Sequence, residues 1–157
     1  MFTIRKLTPQ DVDLVYEFST EAQTRKMSLN QNSIPYASHL VWYGSFLKSA
    51  NVGLIVEEHD IPIAFFRVAS DGEVSITLNK DYRSKGLSHL IVNQSIHTSR
   101  EFFTPELYIA FIRPENTPSI KCFTKAGFKQ NGEQIVRGVK CLRFEKTFYD
   151  ADGEVSE

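Results

Sequence analysis

The sequence lacks the features that mark several large classes of protein. Only two cysteines are present, Cys122 and Cys141, which gives neither a disulfide framework nor a metal-ligand spacing. No apolar stretch approaches the roughly 18 residues that suggest a membrane span, and residues 1–6 lack the apolar run of a signal peptide. We therefore expect a cytoplasmic protein with no bound metal and no membrane partner.

The sequence also lacks an excess of charge of either sign. Eighteen lysine and arginine residues are offset by 19 aspartate and glutamate residues, for a formal net charge of -1. A nucleic-acid-binding domain usually carries a basic face, so the balance argues against nucleic acid as a partner. We expect a small-molecule partner, bound by a monomer or a homodimer.

The chain has enough apolar material for one folded domain. It has 157 residues, of which 41% are hydrophobic, with 12 phenylalanines and six tyrosines. This length is usual for a single domain and allows roughly 70% of the unfolded surface to be buried. We predict one domain over residues 1–149, followed by an acidic tail at residues 150–157.

Apolar periodicity predicts an α/β chain in the order β-α-α-β-β-β-α-β-α-β-β. The predicted strands are 2–7, 52–57, 61–68, 73–79, 107–112, 135–139 and 141–148. Capping residues and prolines start the predicted helices at Thr8, Ser38, near Ser88 and at Thr117, while residues 21–37 are predicted to be irregular. A strand–helix–strand unit implies one parallel strand pair, and the other strands follow one another as meanders. The prediction is a mixed, mostly antiparallel sheet with helices on both faces.

The segment from Arg83 to Ser88 joins a predicted strand to a predicted helix. The first N–H groups of such a helix have no internal partners and face the positive end of the helix dipole, which favours an anion. Gly86 permits close approach of a ligand to the backbone, while Arg83 and Lys85 add positive charge. The segment fits a pyrophosphate site, although an ordinary turn with solvated basic residues would have the same composition.

Two segments resemble signatures of the GNAT acetyltransferase superfamily. Residues 76–88 resemble its acetyl-CoA motif, a strand followed by Arg/Gln-x-x-Gly-x-Gly/Ala, in which Arg83 and Gly86 match and Ser88 replaces the last small residue. Residues 116–128 resemble its second signature, an Asn, a short helix and a terminal Gly-Phe. The element order also matches, so the resemblance covers nearly the whole chain and implies an acyl-CoA N-acyltransferase fold.

The resemblance implies that acetyl-CoA is the co-substrate and that it lies in a gap between two splayed parallel strands, 73–79 and 107–112. Its pyrophosphate would rest on the amides of residues 84–88, and its pantetheine would bond the main chain of the earlier strand. The cofactor-binding residues implied are Ile76, Leu78, Arg83, Ser84, Lys85, Gly86, Leu87, Ser88, Asn116, Ser119 and Phe123.

The resemblance also implies direct attack of an amine on the thioester. The amide of Leu78 is the candidate donor to the oxyanion. Glu73 is the candidate base, and a solvated turn residue is the alternative. The family's usual acid is a Tyr four residues before the terminal Gly, where this chain has Phe123. Because Phe cannot donate a proton, either Ser119 or Tyr108 replaces the acid or the thiolate leaves unaided. Cys122 is interpreted as a buried helix residue rather than an acyl carrier.

For the acceptor, Arg25, Ser28, His39 and Trp42 resemble a branch of the family that acetylates nucleotide-linked amino sugars, as in pseudaminic acid biosynthesis. There an arginine pairs with a diphosphate and an aromatic ring stacks on a sugar or base. The alternative is that Trp42 belongs to the core and His39 only begins a helix. Residues 65–67 are predicted to be strand core beside one exposed charge.

Three functions remain open from the sequence. The first is an N-acetyltransferase for nucleotide-linked amino sugars. The second is an acetyltransferase for protein N-termini or small amines such as polyamines. The third is a CoA-binding module without catalysis, which the substitution at position 123 favours.

Overall fold

Two antiparallel sheets that meet at one point form the framework of the computed structural model, which describes residues 2–147. The strands are β1 (Thr3–Lys6), β2 (Val52–Glu58), β3 (Ile61–Val68), β4 (Val74–Leu78), β5 (Leu107–Ile112), β6 (Lys129–Val136) and β7 (Val139–Thr147). The helices are α1 (Val12–Thr20), α2 (Ala22–Met27), α3 (Tyr36–Lys48), α4 (Ser88–Ser99) and α5 (Thr117–Lys125), with short 3-10 turns at Pro9–Asp11 and Lys80–Tyr82. The predicted tail, residues 150–157, lies outside the described residues.

The first sheet has the order β1-β2-β3-β4 and contains the predicted meander. β2 and β3 are joined by a tight turn in which His59 and Asp60 adopt φ angles of 52° and 65°. Such left-handed conformations match the twist of a short hairpin. The second sheet has the order β5-β7-β6, and Arg137 and Gly138 form its hairpin turn with φ angles of 49° and 80°.

Helices cover both faces of the first sheet because neighbouring strand residues point to opposite sides. Ile55 and Phe65 pack with α1 and α3 in one buried cluster. Leu54 and Phe66 pack on the other side with residues of α4 and α5. The predicted fold class, a mixed and mostly antiparallel sheet with helices on both faces, is confirmed.

The two sheets touch where β4 and β5 run parallel for a single bridge. Glu73 pairs with Ile109, and the N–H of Ile109 donates to the carbonyl oxygen of Gly72 at 2.9 Å. Beyond this bridge β4 is the edge of one sheet and β5 the edge of the other. The strands therefore diverge, as the predicted splay requires.

Several element boundaries differ from the predicted ones. α2 lies in the region predicted to be irregular. It buries no residue, so the sequence shows no apolar stripe from which this helix could have been predicted. α3 begins at Tyr36 after Pro35 rather than at Ser38. β6 begins at Lys129 rather than at residue 135. Its exposed, polar first half is held by backbone pairing with β7, which side-chain periodicity does not reveal.

The predicted start of the first helical segment is confirmed in its capping interaction. The backbone N–H of Thr8 donates to the Asp11 carboxylate at 2.8 Å, which satisfies a donor at the helix entry. Arg5 donates to both oxygens of the same carboxylate, at 2.8 and 2.9 Å. Within residues 2–147, no helix has the length and apolarity needed to cross a membrane.

Candidate active site

The divergence of β4 and β5 opens a cleft of about 740 Å³, within the usual size of a small-molecule site. Its walls come from both strands, α2 and the loop after it, the start of α4, and α5. Among the predicted site residues, those that line the cleft are Glu73, Ile76, Leu78, Arg83, Ser84, Ser88, Asn116, Ser119, Phe123 and Arg25. The structure thus brings together residues that are up to about a hundred positions apart in the sequence.

The edge of β4 presents free backbone groups to this cleft. In an antiparallel ladder alternate residues exchange hydrogen bonds with the partner strand. The N–H of Asn79 donates to the carbonyl of Ile63 in β3 at 2.8 Å, which fixes the alternation. The N–H and C=O groups of Ile76 and Leu78 consequently point away from β3 and into the gap. An edge of this kind pairs with an extended ligand as it would with another strand.

The loop before α4 forms a concave set of amides at one end of the cleft. Ser84 and Gly86 adopt left-handed φ angles of 63° and 73°, a geometry in which successive N–H groups converge on an anion. Within residues 2–147, no backbone acceptor receives the N–H groups of residues 84–87, and Ser88 begins α4 with its own N–H free. A Cβ added at Gly86 would meet no atom within 4 Å, so space is open above the loop.

Lys85, Gly86 and Leu87 lie at the rim of the cleft rather than on its wall. Lys85 is exposed, with Nζ 5.4 Å from the centre of the Tyr82 ring. Its charge stays close to the loop without entering the gap. The amides of these three residues, and not their side chains, are what the loop can contribute to binding.

Arg83 contributes differently from the sequence prediction of a free charge beside the pyrophosphate. Its guanidinium donates to the Glu21 carboxylate at 2.6 Å and approaches the hydroxyl of Thr24 at 3.4 Å. This hydrogen bond lowers the pKa of Glu21 to about 2. Arg83 therefore ties the start of α2 to the loop before α4, and much of its charge is already compensated.

The Arg83–Glu21 pair should make stability depend on acid pH. The folded pKa of Glu21, about 2, lies below its ordinary value of 4.5, so the pair stabilises the fold above pH 4.5 and this contribution is lost as the pH falls toward 2. We expect Glu21→Gln to reduce the loss of unfolding free energy between pH 4.5 and pH 2, as measured by urea titrations at each pH. Glu133→Gln, which removes the exposed pair with Lys140, should leave the slope unchanged. An unchanged slope in Glu21→Gln would contradict the assignment.

The opposite wall is formed by α5. Asn116 caps this helix, its side-chain oxygen accepting from the N–H of Ser119 at 3.3 Å. Phe123 is only 2% exposed and packs edge-on against Phe128, with ring centres 5.0 Å apart. Its position gives the cleft an apolar surface where the sequence analysis places an acid in related proteins.

The two residues considered as replacement acids have different positions. Ser119 lines the cleft, whereas Tyr108 is fully buried in the core and does not reach it. Burial also raises the pKa of the Cys122 thiol, which disfavours the thiolate that acyl transfer through sulfur would require. Of the two candidate acids, Ser119 is therefore the one on the cleft wall.

Glu73 lies where the two sheets meet and is paired with Arg137. The guanidinium of Arg137 donates to the Glu73 carboxylate at 2.9 Å, and this bond raises the pKa of Arg137. Both residues line the cleft. Glu73 is thus neither a free carboxylate nor a fully solvated turn residue, because the β6–β7 turn reaches across to hold it.

The predicted acceptor-binding residues mostly make contacts within the protein itself. Arg25 lines the cleft but donates to the carbonyls of Ser19, Asn30 and Asn32 at 2.8–3.0 Å and to the Ser28 hydroxyl at 3.2 Å. Four of the five N–H groups of a guanidinium are therefore occupied. Arg25 shapes the loop after α2 and is not a free partner for a diphosphate.

His39 and Trp42, the other two predicted acceptor residues, are not among the residues that line the cleft. His39 is 2% exposed and its Nε2 lies 2.7 Å from the carbonyl of Val12. Trp42 packs against Phe46 with ring centres 5.2 Å apart. Both residues belong to the packing of α3 against α1. For Trp42 this is the alternative that the sequence left open, whereas His39 lies buried within α3 and does not begin it.

Sequence analysis missed Arg67, which was predicted to be an exposed charge. It lines the cleft, its Nε donates to the Ser75 hydroxyl at 3.1 Å, and its guanidinium carbon lies 5.7 Å from the Trp42 ring and 5.6 Å from the Phe65 ring. Loss of solvent lowers its pKa. One signal was available, since Arg67 is the single charged residue in the otherwise apolar strand β3.

An edge strand open to an extended ligand, next to a loop of converging amides, forms a site that fits an extended chain ending in a diphosphate, as in coenzyme A. Comparison with known proteins agrees with a coenzyme A site. The family model for the acetyltransferase (GNAT) domain matches residues 2–129. The chain therefore belongs to the GNAT acetyltransferase family, whose members use acetyl-CoA as co-substrate.

Solved structures share the fold at low sequence identity. The aminoglycoside acetyltransferase AAC(6')-Ib in complex with coenzyme A aligns over 100% of both chains, with 18% identity and a TM-score of 0.81. Spermidine N-acetyltransferase from Vibrio cholerae, in complex with CoA and spermine, aligns over 96% of this chain and 97% of its own, with 13% identity and a TM-score of 0.79.

Proposed function

We propose that this chain transfers the acetyl group of acetyl-CoA to a primary amine by direct attack, within the cleft between β4 and β5. The observation that supports this most is the free edge of β4. The N–H and C=O groups of Ile76 and Leu78 face a gap that ends at the amides of residues 84–88. An extended chain ending in a diphosphate satisfies both sets of groups.

In this arrangement the pantetheine amides pair with β4, and the diphosphate accepts from the loop before α4. Asn116 and Ser119 contact the same arm from the opposite wall. Glu21 lies behind the loop and, through Arg83, keeps it close to α2. These contacts would fix the thioester near Leu78.

The amine must be neutral to attack the thioester, and its nitrogen forms the new bond while the carbon–sulfur bond breaks. The amide of Leu78 donates to the oxyanion of the tetrahedral intermediate, a contribution worth ~3 kcal/mol in other enzymes. The departing thiolate has a parent pKa of about 8.5. Because Phe123 provides no proton, the thiolate leaves without a tyrosine donor, or with help from Ser119.

Glu73 is proposed to accept the proton from the incoming amine, directly or through water. We expect Glu73→Gln to reduce kcat about tenfold at pH 7, below the usual 10²–10⁴ for a general base, because part of the amine population is already neutral. The difference in kcat between the variant and the native chain should become smaller as the pH approaches about 9.5. The KM for acetyl-CoA should not change. A deficit that is the same at every pH would exclude this role, and a pH–rate profile measures it.

For the acceptor, we propose the amino group of a nucleotide-linked amino sugar. The sequence resemblance that suggested this class rests on Arg25, His39 and Trp42, which are engaged in contacts within the fold. A different arginine, Arg67, lies over the Trp42 ring and lines the cleft. The alternative acceptors are small amines, because the two similar enzymes are named for aminoglycosides and spermidine, or protein N-termini. The third possibility is a CoA-binding module that transfers nothing.

Thiol release from acetyl-CoA with an amine panel tests these proposals. The panel contains a UDP-linked 4-amino sugar, spermidine, kanamycin and a peptide with a free N-terminus. Release with the sugar nucleotide supports the proposed acceptor, and release only with the others supports the alternatives. Tight acetyl-CoA binding with no release on any amine would favour the module without catalysis.

The location and assembly of the enzyme are proposed from the sequence. We propose a single domain over residues 1–149 that works in the cytoplasm as a monomer or a homodimer. Light scattering on the purified chain measures the assembly. A tetramer or larger species at micromolar concentration would contradict it.

A further inference from the structure

We propose that the acceptor carries an anionic group as well as its amine, and that Arg67 binds this group at the acceptor end of the cleft. The inference rests on the proposed function, since it concerns the second substrate of the same site. It assigns a role in acceptor specificity to a residue that the sequence analysis predicted to be an exposed charge.

The first support is the pairing of the cleft arginines. Four arginines line the cleft, Arg25, Arg67, Arg83 and Arg137. Arg83 has an acidic partner in Glu21 and Arg137 has one in Glu73. Within residues 2–147, neither Arg25 nor Arg67 has a carboxylate at ion-pair distance, so the cleft has an excess of positive charge.

The second support is the geometry of Arg67 itself. Nε is held by the Ser75 hydroxyl, and the guanidinium carbon lies within 5.7 Å of the centres of both the Trp42 and the Phe65 rings, so these contacts restrain the side chain. In the part of the chain that the structure describes, its two terminal nitrogens donate to no acceptor. They remain available to a ligand, and a planar guanidinium presents paired donors to a carboxylate or phosphate.

The third support is position. Arg67 is paired with Ser75 across the β3–β4 ladder, three residues before Leu78. At about 3.4 Å per strand residue, the bound anion lies on the order of 10 Å from the proposed oxyanion donor. The acceptor should therefore hold its amine and its anion several bonds apart, and not on the same carbon atom.

The experiment compares acceptors in matched pairs that differ in the anion. One pair is a UDP-linked 4-amino sugar and the methyl glycoside of that sugar, and the other is triglycine and triglycinamide. We expect kcat/KM to favour the anionic member at least tenfold in whichever pair is used. Preference in the first pair identifies a phosphate group, and preference in the second identifies a carboxylate.

Substitutions at Arg67 test whether this residue binds the anionic group of the acceptor. Arg67→Gln should remove the preference in kcat/KM for the anionic acceptor by raising the KM of that acceptor, while the KM for acetyl-CoA stays unchanged. Arg67→Lys should keep part of the preference, because it retains the positive charge. The matched control is Arg143→Gln, because Arg143 also lies near a phenylalanine ring, 5.7 Å from Phe111, and outside the cleft. A preference that survives in Arg67→Gln, or an equal rate for spermidine in the native chain, overturns the proposal.

A binding measurement separates this inference from the proposed function. If no amine is acetylated, the proposed function fails, and the anion site is judged by calorimetry of the CoA complex with uridine 5′-diphosphate and with succinate. Binding that Arg67→Gln weakens at least tenfold supports the site. No binding of either anion, or equal binding by the variant, rejects it.

Discussion

Replacement of Gly86 by glutamate should abolish tight binding of acetyl-CoA while the chain stays folded. Gly86 has a φ of +73° and open space above it, so the new carboxylate would stand where the diphosphate is proposed to bind. Two unit charges about 5 Å apart repel by ~3 kcal/mol at an effective dielectric constant of about 20. We expect a Kd for acetyl-CoA raised about 100-fold, measured by calorimetry.

The control for this variant must separate backbone strain from charge in the loop. A side chain at positive φ costs about 1–2 kcal/mol of stability wherever it occurs. Gly132→Glu introduces the same side chain at a φ of +75°, also in open space, on the exposed strand β6. It should lose similar stability and keep acetyl-CoA affinity. If Gly86→Glu retains normal affinity, or the native chain binds no CoA, the placement of the diphosphate is wrong.

Replacement of Gly72 by alanine should destabilise the junction between the two sheets by at least ~3 kcal/mol. Gly72 has a φ of +93°, and an added Cβ would lie 2.1 Å from the carbonyl oxygen of Leu107. That oxygen belongs to the backbone of β5, so the strand itself must move. At 2–4 °C per kcal/mol for a chain of about this size, we expect the melting temperature to fall by roughly 6–12 °C.

The opposite result is expected for Gly44→Ala, which serves as the control for Gly72→Ala. Gly44 lies on the exposed side of α3, and an added Cβ would meet nothing within 4 Å. Alanine is favoured over glycine in a helix by about 1 kcal/mol, so this variant should be slightly more stable. A Gly72→Ala variant as stable as the native chain would show that the junction adjusts without cost.

The Gly72 junction also connects stability with function. The carbonyl of Gly72 accepts from Ile109, and the next residue, Glu73, forms the only bridge between β4 and β5 among residues 2–147. A displaced β5 would change the width of the cleft along its whole length. Gly72→Ala should therefore weaken acetyl-CoA binding even at temperatures where the chain is fully folded.

Much of the fold could be predicted because its signals are local. β5 has the predicted bounds, Leu107–Ile112, since it alternates buried and part-buried residues between two prolines. Thr8, Pro9 and Asp11 identified the first helical segment by capping chemistry within four residues. α2 and the start of β6 carry no buried side chains, so their positions depend on contacts with distant residues and gave no periodic signal.

The candidate site also has a part that could be predicted from the sequence and a part that could not. The proposed cofactor half is a continuous strand, loop and helix start from Ile76 to Ser88, and its chemistry could be inferred from the sequence because helix ends and glycines act through neighbouring residues. Arg83 lies within that segment, yet its partner Glu21 comes from 62 positions earlier. The sequence could place the arginine and not the charge that compensates it.

The sequence by itself indicated the family, through its resemblance to two motifs, and determined most of the order of elements, because periodicity and capping depend on short-range backbone geometry. Only the tertiary structure decided which side chains face the acceptor. It placed His39 in the core, engaged Arg25 in its own loop, and left Arg67 open to the cleft. The physical reason is that hydrogen bonds and ion pairs compete for each polar group, and the outcome depends on residues that meet only when the sheets are assembled.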